Sequence, residues 1–238
     1  MKDTIRKLPT SKAAGPDGIP NEAIKAASEA VATPLANAAT TCLLKGNLPE
    51  CCKDTITVVL RKANKKDYSL PGSYRPVALE NTLGKILEKI VAERMQEAVE
   101  AQGLLPWTQM GARKRRSTLS AISLITSSVQ AAWQARPGCV VSMLSLDISG
   151  AFDHVSHERL LWILKKKGLP EWMIKFIQAF LTGRTTKIVF EGYESEKIPT
   201  PTGILQGSPL SPILFLFFIF ELLETFDGNQ KIDRKSVV

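Results

Sequence analysis

Asp147 and Asp153 stand six residues apart in "SLDISGAFDHV" (Ser145 to Val155), where an apolar run gives way to small residues, a phenylalanine and a second acid. A carboxylate ending a buried strand is costly unless it is paired or binds a cation, and its hard oxygens suit Mg²⁺. The spacing alone fits a plain structural role equally well, with one acid ending a strand and the other starting a helix. A second stretch, "TGILQGSPLSPILF" (Thr202 to Phe215), combines Gly203 and Gly207, the Gln206 amide and a helix start at Ser208 and Pro209. Glycine admits close backbone approach, and free N–H groups at a helix start favour anions, so a nucleotide or a template backbone would fit there. An ordinary capped helix fits too.

Such residues need a sheet and helices to aim them. "CVVSMLSLD" (Cys139 to Asp147) reads as a strand in the middle of a sheet, with Val141, Met143, Ser145 and Asp147 sharing a face, so that the carboxylate extends a packed row into a cleft. "DTITVVLRK" (Asp54 to Lys62) has the β-branched content of a strand, and "YRPVAL" can pair with it as a hairpin with Pro76 at an edge. The loop between them is long and basic, which makes the pair a flap. From Thr82 the pattern places Leu83, Ile86, Leu87, Ile90, Val91 and Met95 on one helical face, ending at Gly103.

Elsewhere, "SKAAGPDGIPNEAI" is turn chemistry leading into a helix that Asn21 can cap, and Ala23 to Leu44 is helical in composition, interrupted at Pro34. Further helices are expected from about Thr118 to Gln134, from Ser156 to a stop at Gly168, over "EWMIKFIQAFL", and after Ser208 as a cap with Pro209 in the first turn. "TTKIVFEGYESEKIPTPTG" reads as a hairpin. Arg113, Lys114, Arg115 and Arg116 fall together in "GARKRRS", as a phosphate-contacting loop or a solvated one.

Composition bounds the partners. At 238 residues and 44% hydrophobic content the chain can bury a sizeable core, and a net charge of +8 with a pI near 9.4 favours polyanions. Four cysteines without a C-x-x-C pair and an opening without an apolar core point to an intracellular protein with free thiols. The longest apolar run, Ile213 to Phe220, falls short of the roughly 20 residues needed to cross a bilayer and reads as buried core. His154 and His157 have H-x-x-H spacing but no nearby cysteine, and read as helix-start residues rather than zinc ligands.

Taken in order, these stretches resemble the fingers and palm of a reverse transcriptase of the non-LTR retrotransposon kind. "SKAAGPDGIPNEAIK" looks like that family's N-terminal motif, "GSYRPVALENTLGKILEKIVAERM" like its fingers motif, and "QMGARKRRST" like its next block. "LDISGAFDHVSHERLL" is similar to palm motif A and "GILQGSPLSPILF" to motif B. The resemblance implies an α+β, right-hand polymerase architecture without a thumb. Residues 1–137 would be mainly fingers, 138–155 palm motif A, 156–200 connecting helices and a hairpin, and 201–238 an incomplete motif B helix.

Residue by residue, the resemblance implies that Asp147 is a catalytic metal ligand with the Ile148 carbonyl beside it, and that Phe152 is the steric gate against a ribose 2′-hydroxyl. Gln206 and Gly207 would lie near the incoming nucleotide, Arg75 and Lys62 near its triphosphate, and Arg113 to Arg116 near nucleic acid. Asp153 would order local structure. The implied reaction is two-Mg²⁺ transfer from dNTPs onto a DNA primer along an RNA template, in the nucleus or the cytoplasm, with no membrane involved and the oligomeric state left open.

The family's second palm strand carries an aromatic-x-Asp-Asp motif, and no Asp-Asp pair occurs in these 238 residues. The chain is therefore expected to stop before its metal site is complete and to be inactive alone. Two alternatives stay open: a catalytically dead nucleic-acid-binding remnant and an intron-maturase-type enzyme. The "GARKRRST" block also lacks the family's usual aromatic and second glycine.

Overall fold

The structure is a computed structural model of the chain and describes residues 1–228, with side chains through Glu224. Helices α1 (Lys2–Arg6) and α2 (Asn21–Ala26) bracket the opening loop and lead into α3 (Ser28–Lys45). Asn21 does not cap α2. Pro20 occupies that position, and the buried Asn21 amide instead donates to the Pro9 carbonyl at 2.8 Å. The helix break falls at Ala27, while the exposed Pro34 is carried inside α3, where it forfeits only a local backbone bond.

The flap forms as the pattern predicts: β1 (Asp54–Arg61) pairs antiparallel with β2 (Tyr74–Glu80), Thr57 opposite Ala78. β2 is the edge strand, which is where Pro76, having no N–H to donate, costs least. Helix α4 (Thr82–Gln102) follows at once, buries Ile86, Leu87, Val91, Met95 and Val99, and ends at the left-handed Gly103. Helix α5 (Thr118–Ala135) starts where the Ser117 hydroxyl accepts the Ser120 N–H, yet it buries no side chain at all.

The strand expected over Cys139 to Asp147 does not form. These residues carry no regular structure, and Val140, Met143, Leu144 and Leu146 are exposed. A strand in mid-sheet needs a neighbour on each side to take its N–H and C=O groups. Among the described residues every strand belongs to one other sheet, ordered β2-β1-β3-β4, and none pairs with this segment.

Beyond it the chain is regular again. Ser156 caps α6 (His157–Lys166), α7 (Glu171–Leu181) follows, and β3 (Thr185–Phe190) joins the sheet parallel to β1. The expected hairpin is made by the short β4 (Tyr193–Glu194) and β5 (Ile198–Pro199), both antiparallel to β3. Helix α8 (Ser211–Phe218) starts two residues later than its sequence suggests, with Leu210 at the cap and Pro212 in the first turn; the buried Ser208 hydroxyl still accepts the Leu210 N–H but is turned inward to donate to Glu88. A break at Ile219 leads to α9 (Phe220–Gly228), which takes in Asp227, whereas Asp233 lies outside the described residues.

The main core lies among α4, α6, α7 and α8, where Phe176, Phe180, Leu160, Ile163, Phe217 and Met95 are almost wholly buried. At about 1.5–3 kcal/mol for each such side chain, this helical layer supplies the stability on which the sheet and its loops are mounted. A smaller cluster of Ile5, Leu8, Ile24, Ala32 and Ile86 fastens the N-terminal helices to α4. The architecture is thus a mixed α and β fold, an open and partly parallel sheet flanked by helices.

Candidate active site

The stretch before α6 and the loop before α8 are 50 residues apart in sequence and lie against each other in space. The Gly203 N–H donates to the Val155 carbonyl at 3.0 Å, and the Ile204 N–H to the Phe152 carbonyl at 2.9 Å. A Cβ at Gly203 would stand 2.8 Å from the Asp153 carbonyl oxygen, and its φ is +81°, so only glycine fits without displacement. Three residues on, the loop is fixed to the sheet, because the Ala78 N–H on the outer edge of β2 donates to the Gln206 carbonyl at 2.8 Å. Gly207 (φ +130°) crosses so close to β2 that a Cβ there would meet the Ala78 oxygen at 2.6 Å.

This double attachment creates a cleft of about 570 Å³ between flap and loop. Lys62, Arg75, Phe152, Asp153 and Gln206 all line it, together with the turn from Ser149 to Ala151. The Lys62 ammonium donates to the Gly72 carbonyl at 3.0 Å, and Arg75 is exposed without an acidic partner among the described residues. In the same lining, the half-buried Phe152 ring is braced by Phe215 at 5.2 Å between centroids. Two cations and an aromatic ring in one lining suit an anion carrying an apolar or sugar-sized group.

Asp147 and Ile148 are exposed and lie just outside the cleft lining, on the segment that forms no strand. Among the described residues no group of three or more His, Cys, Asp or Glu side chains could hold a metal ion. Asp147 supplies a hard oxygen, but the described residues do not complete a two-ion site around it. The two histidines are used locally: a His154 ring nitrogen lies 2.8 Å from the Gly150 carbonyl and one of His157 2.6 Å from that of Gly203.

The basic block divides. Arg113 is an interior residue, its guanidinium forked onto both Glu100 oxygens at 2.9 Å and onto the Pro106 carbonyl, and this pairing holds the Glu100 carboxyl below its ordinary range. Arg116 is tied to the Trp107 carbonyl. Lys114 and Arg115 alone of the four are fully exposed. Sequence reasoning treated them as one patch and missed the anchor, for which Glu100 at the end of α4 was the available signal. It also passed over Glu80, Glu88 and Arg184, a buried charged cluster under the loop.

Residues 61–235 match the family model of reverse transcriptase, the RNA-dependent DNA polymerase. The RNA-directed DNA polymerase from mobile element jockey of Drosophila melanogaster is 29% identical over 238 residues, covering 100% of this chain and 25% of that protein. The retrovirus-related Pol polyprotein from type-1 retrotransposable element R2 of Popillia japonica is 32% identical over 191 residues, covering 80% of this chain and 26% of that protein. The chain belongs to the reverse transcriptase family and is related to the enzymes of non-LTR retrotransposons. It spans about a quarter of the length of these relatives. No helix among the described residues is long and apolar enough to cross a membrane.

Proposed function

We propose that this chain is the nucleotide-receiving part, fingers with a portion of the palm, of an RNA-directed DNA polymerase that copies the RNA of a non-LTR element onto a DNA primer in the nucleus. The observation that carries the reading is the single cleft that gathers Lys62, Arg75, Phe152 and Gln206 from four separate stretches of sequence. In this reading Lys62 and Arg75 take the triphosphate of a dNTP by charge-assisted hydrogen bonds, and Arg75 can do so bidentately. The Phe152 ring, backed by Phe215, stands where a 2′-hydroxyl would intrude and so selects deoxyribose. Gln206 and Gly207 form the floor under the base, with the Gln206 backbone fixed to Ala78, while Asp153 keeps the turn before α6 in place. Lys114 and Arg115 are the exposed phosphate contacts for nucleic acid.

Enzymes of this family use Mg²⁺, which supplies charge stabilisation at the transferring phosphate. Asp147 and the Ile148 carbonyl would contribute to holding it. A second reading, binding without catalysis by this stretch of chain, is favoured by the position of Asp147 outside the cleft. The discriminating experiment is Mg²⁺-dependent extension of oligo(dT) on poly(rA), with this chain beside a longer one spanning the length its relatives cover. Incorporation by the longer form that disappears on Asp147→Ala supports the polymerase. Incorporation that survives Asp147→Ala refutes the metal assignment, and primer–template binding with no incorporation in either form supports the second reading.

A further inference from the structure

Under the loop that floors the cleft, four polar side chains are sealed from solvent. Glu80 ends β2 and Glu88 lies in α4, both 0% exposed, while Arg184, just before β3, and Ser208, just after Gly207, are each 4% exposed. Arg184 donates to one Glu80 oxygen at 2.9 Å and to the Phe180 carbonyl at 3.2 Å. The Ser208 hydroxyl donates to one Glu88 oxygen at 2.5 Å and accepts the Leu210 N–H at 3.0 Å. The second oxygen of each carboxyl, Glu80 Oε2 and Glu88 Oε1, is buried with no donor available to it. The two carboxyls share this sealed cluster, and each shifts the protonation of the other.

Two carboxylates against one guanidinium would leave a buried net charge of −1 with two orphaned oxygens, an arrangement with no compensation. One proton resolves both defects, because a carboxylic acid can donate to the neighbouring carboxylate. Arg184 selects which group ionises: it donates to Glu80 directly, whereas the hydrogen-bond partner of Glu88 is the neutral Ser208 hydroxyl. We infer that Glu88 is held as a neutral carboxylic acid that donates to the Glu80 carboxylate, and that through Ser208 it is the positioning residue for the Gln206–Gly207 loop. The importance of that loop rests on the nucleotide-cleft reading; the protonation does not.

The other groups around the cluster agree. Burial raises both carboxyls above their ordinary range, and the Glu80 charge raises Glu88 further, while Arg184 and Lys85 draw Glu80 back toward ionisation. Cys52, packed on the same side of α4, is a neutral thiol pushed up to about 12, chiefly by burial. Glu88 therefore binds its proton more tightly folded than unfolded. Its contribution to stability is complete below the unfolded value of about 4.3 and is lost as pH rises toward the folded value, with the folding equilibrium constant falling about tenfold per pH unit in between.

Glu88→Gln tests this, since an amide can accept from Ser208 and donate to Glu80 but has no proton to lose. Denaturant unfolding of both proteins from pH 5 upward should show the wild-type folding constant falling relative to Glu88→Gln by about tenfold per pH unit for as long as Glu88 keeps its proton in the fold. A protonated-carboxyl infrared band present in the wild type at neutral pH should vanish in the variant. Parallel pH profiles with no band lost would overturn the protonation. For positioning, hydrogen exchange at the Leu210 and Ala78 amides should stay slow in Glu88→Gln and accelerate more than tenfold in Ser208→Ala, which removes only the hydroxyl. Unchanged exchange in Ser208→Ala would overturn the positioning role. None of these measurements depends on polymerase activity, so the cleft reading and this inference fail separately.

Discussion

Gly207→Ala is the sharpest perturbation of the loop. The new Cβ would lie 2.6 Å from the Ala78 carbonyl oxygen, closer than carbon and oxygen can pack, on a backbone at φ +130° that alanine rarely adopts. Ala78 cannot retreat, because β2 is laddered to β1 through Thr57 and its neighbours. The loop must lift instead, which breaks the 2.8 Å bond from the Ala78 N–H to the Gln206 carbonyl. Backbone strain of about 1–3 kcal/mol and a lost hydrogen bond of about 0.5–1.5 kcal/mol sum to roughly 2–4 kcal/mol. For a domain of this size that lowers Tm by about 4–16 °C. Thermal unfolding by circular dichroism measures it, with Gly72→Ala as the control, since a Cβ at Gly72 meets nothing within 4 Å. A Gly207→Ala shift no larger than that of Gly72→Ala would refute the argument that the loop is pinned to the sheet.

Arg113→Ala should destabilise by about 1–2 kcal/mol, a figure discounted for screening because Glu100 is 40% exposed, whereas Lys114→Ala with Arg115→Ala should cost under about 0.5 kcal/mol. On single-stranded RNA the order should invert, the double variant losing affinity and salt dependence; equal RNA binding by wild type and double variant would remove the loop from the nucleic-acid interface. Phe152→Ala, measured in the longer form, should raise ribonucleotide incorporation relative to deoxynucleotide, and an unchanged ratio would remove the ring from sugar selection. Leu119→Glu with Ile122→Lys alters two exposed positions of a helix that buries nothing, so unfolding should shift by less than about 0.5 kcal/mol. A loss of 2 kcal/mol instead would mean that this face is covered.

Local elements were legible wherever neighbouring residues decide them. The α4 stripe and its Gly103 stop, the β1–β2 flap and the Ser156 cap all follow from periodicity and capping chemistry, and all are present. Cys139 to Asp147 has equally strong strand composition and fails, because a mid-sheet strand is specified by its neighbours as much as by its own side chains. The α8 start is displaced for a related reason: Ser208 accepts the Leu210 N–H as a cap would, but its hydroxyl is also committed to Glu88, 120 residues away in sequence, and the regular helix begins only at Ser211. Arg113 shows the same limit, since nothing in "GARKRRS" marks which cation has a carboxylate waiting in α4. Burial and long-range pairing, rather than composition, separate interior charges from those facing solvent.

The cleft also explains why widely spaced motifs must act together. From Ala78 on β2 to Gln206, and from Gly203 and Ile204 to Val155 and Phe152, the connections are backbone hydrogen bonds of 2.8–3.0 Å. The flap cations, the Phe152 ring and the loop therefore share one frame, in which glycine at 203 and 207 permits approach distances that any side chain would prevent. A displacement of β2 carries Gln206 with it, and a displacement of the turn before α6 carries the same loop from its other end. Specificity at the cleft is consequently expected to respond to substitutions at Ala78 and Val155, neither of which lines the Phe152 side of the cleft. Asp147 sits outside this frame, two residues before the turn at Ser149, so the hydrogen bonds that hold the cleft together do not involve the acid.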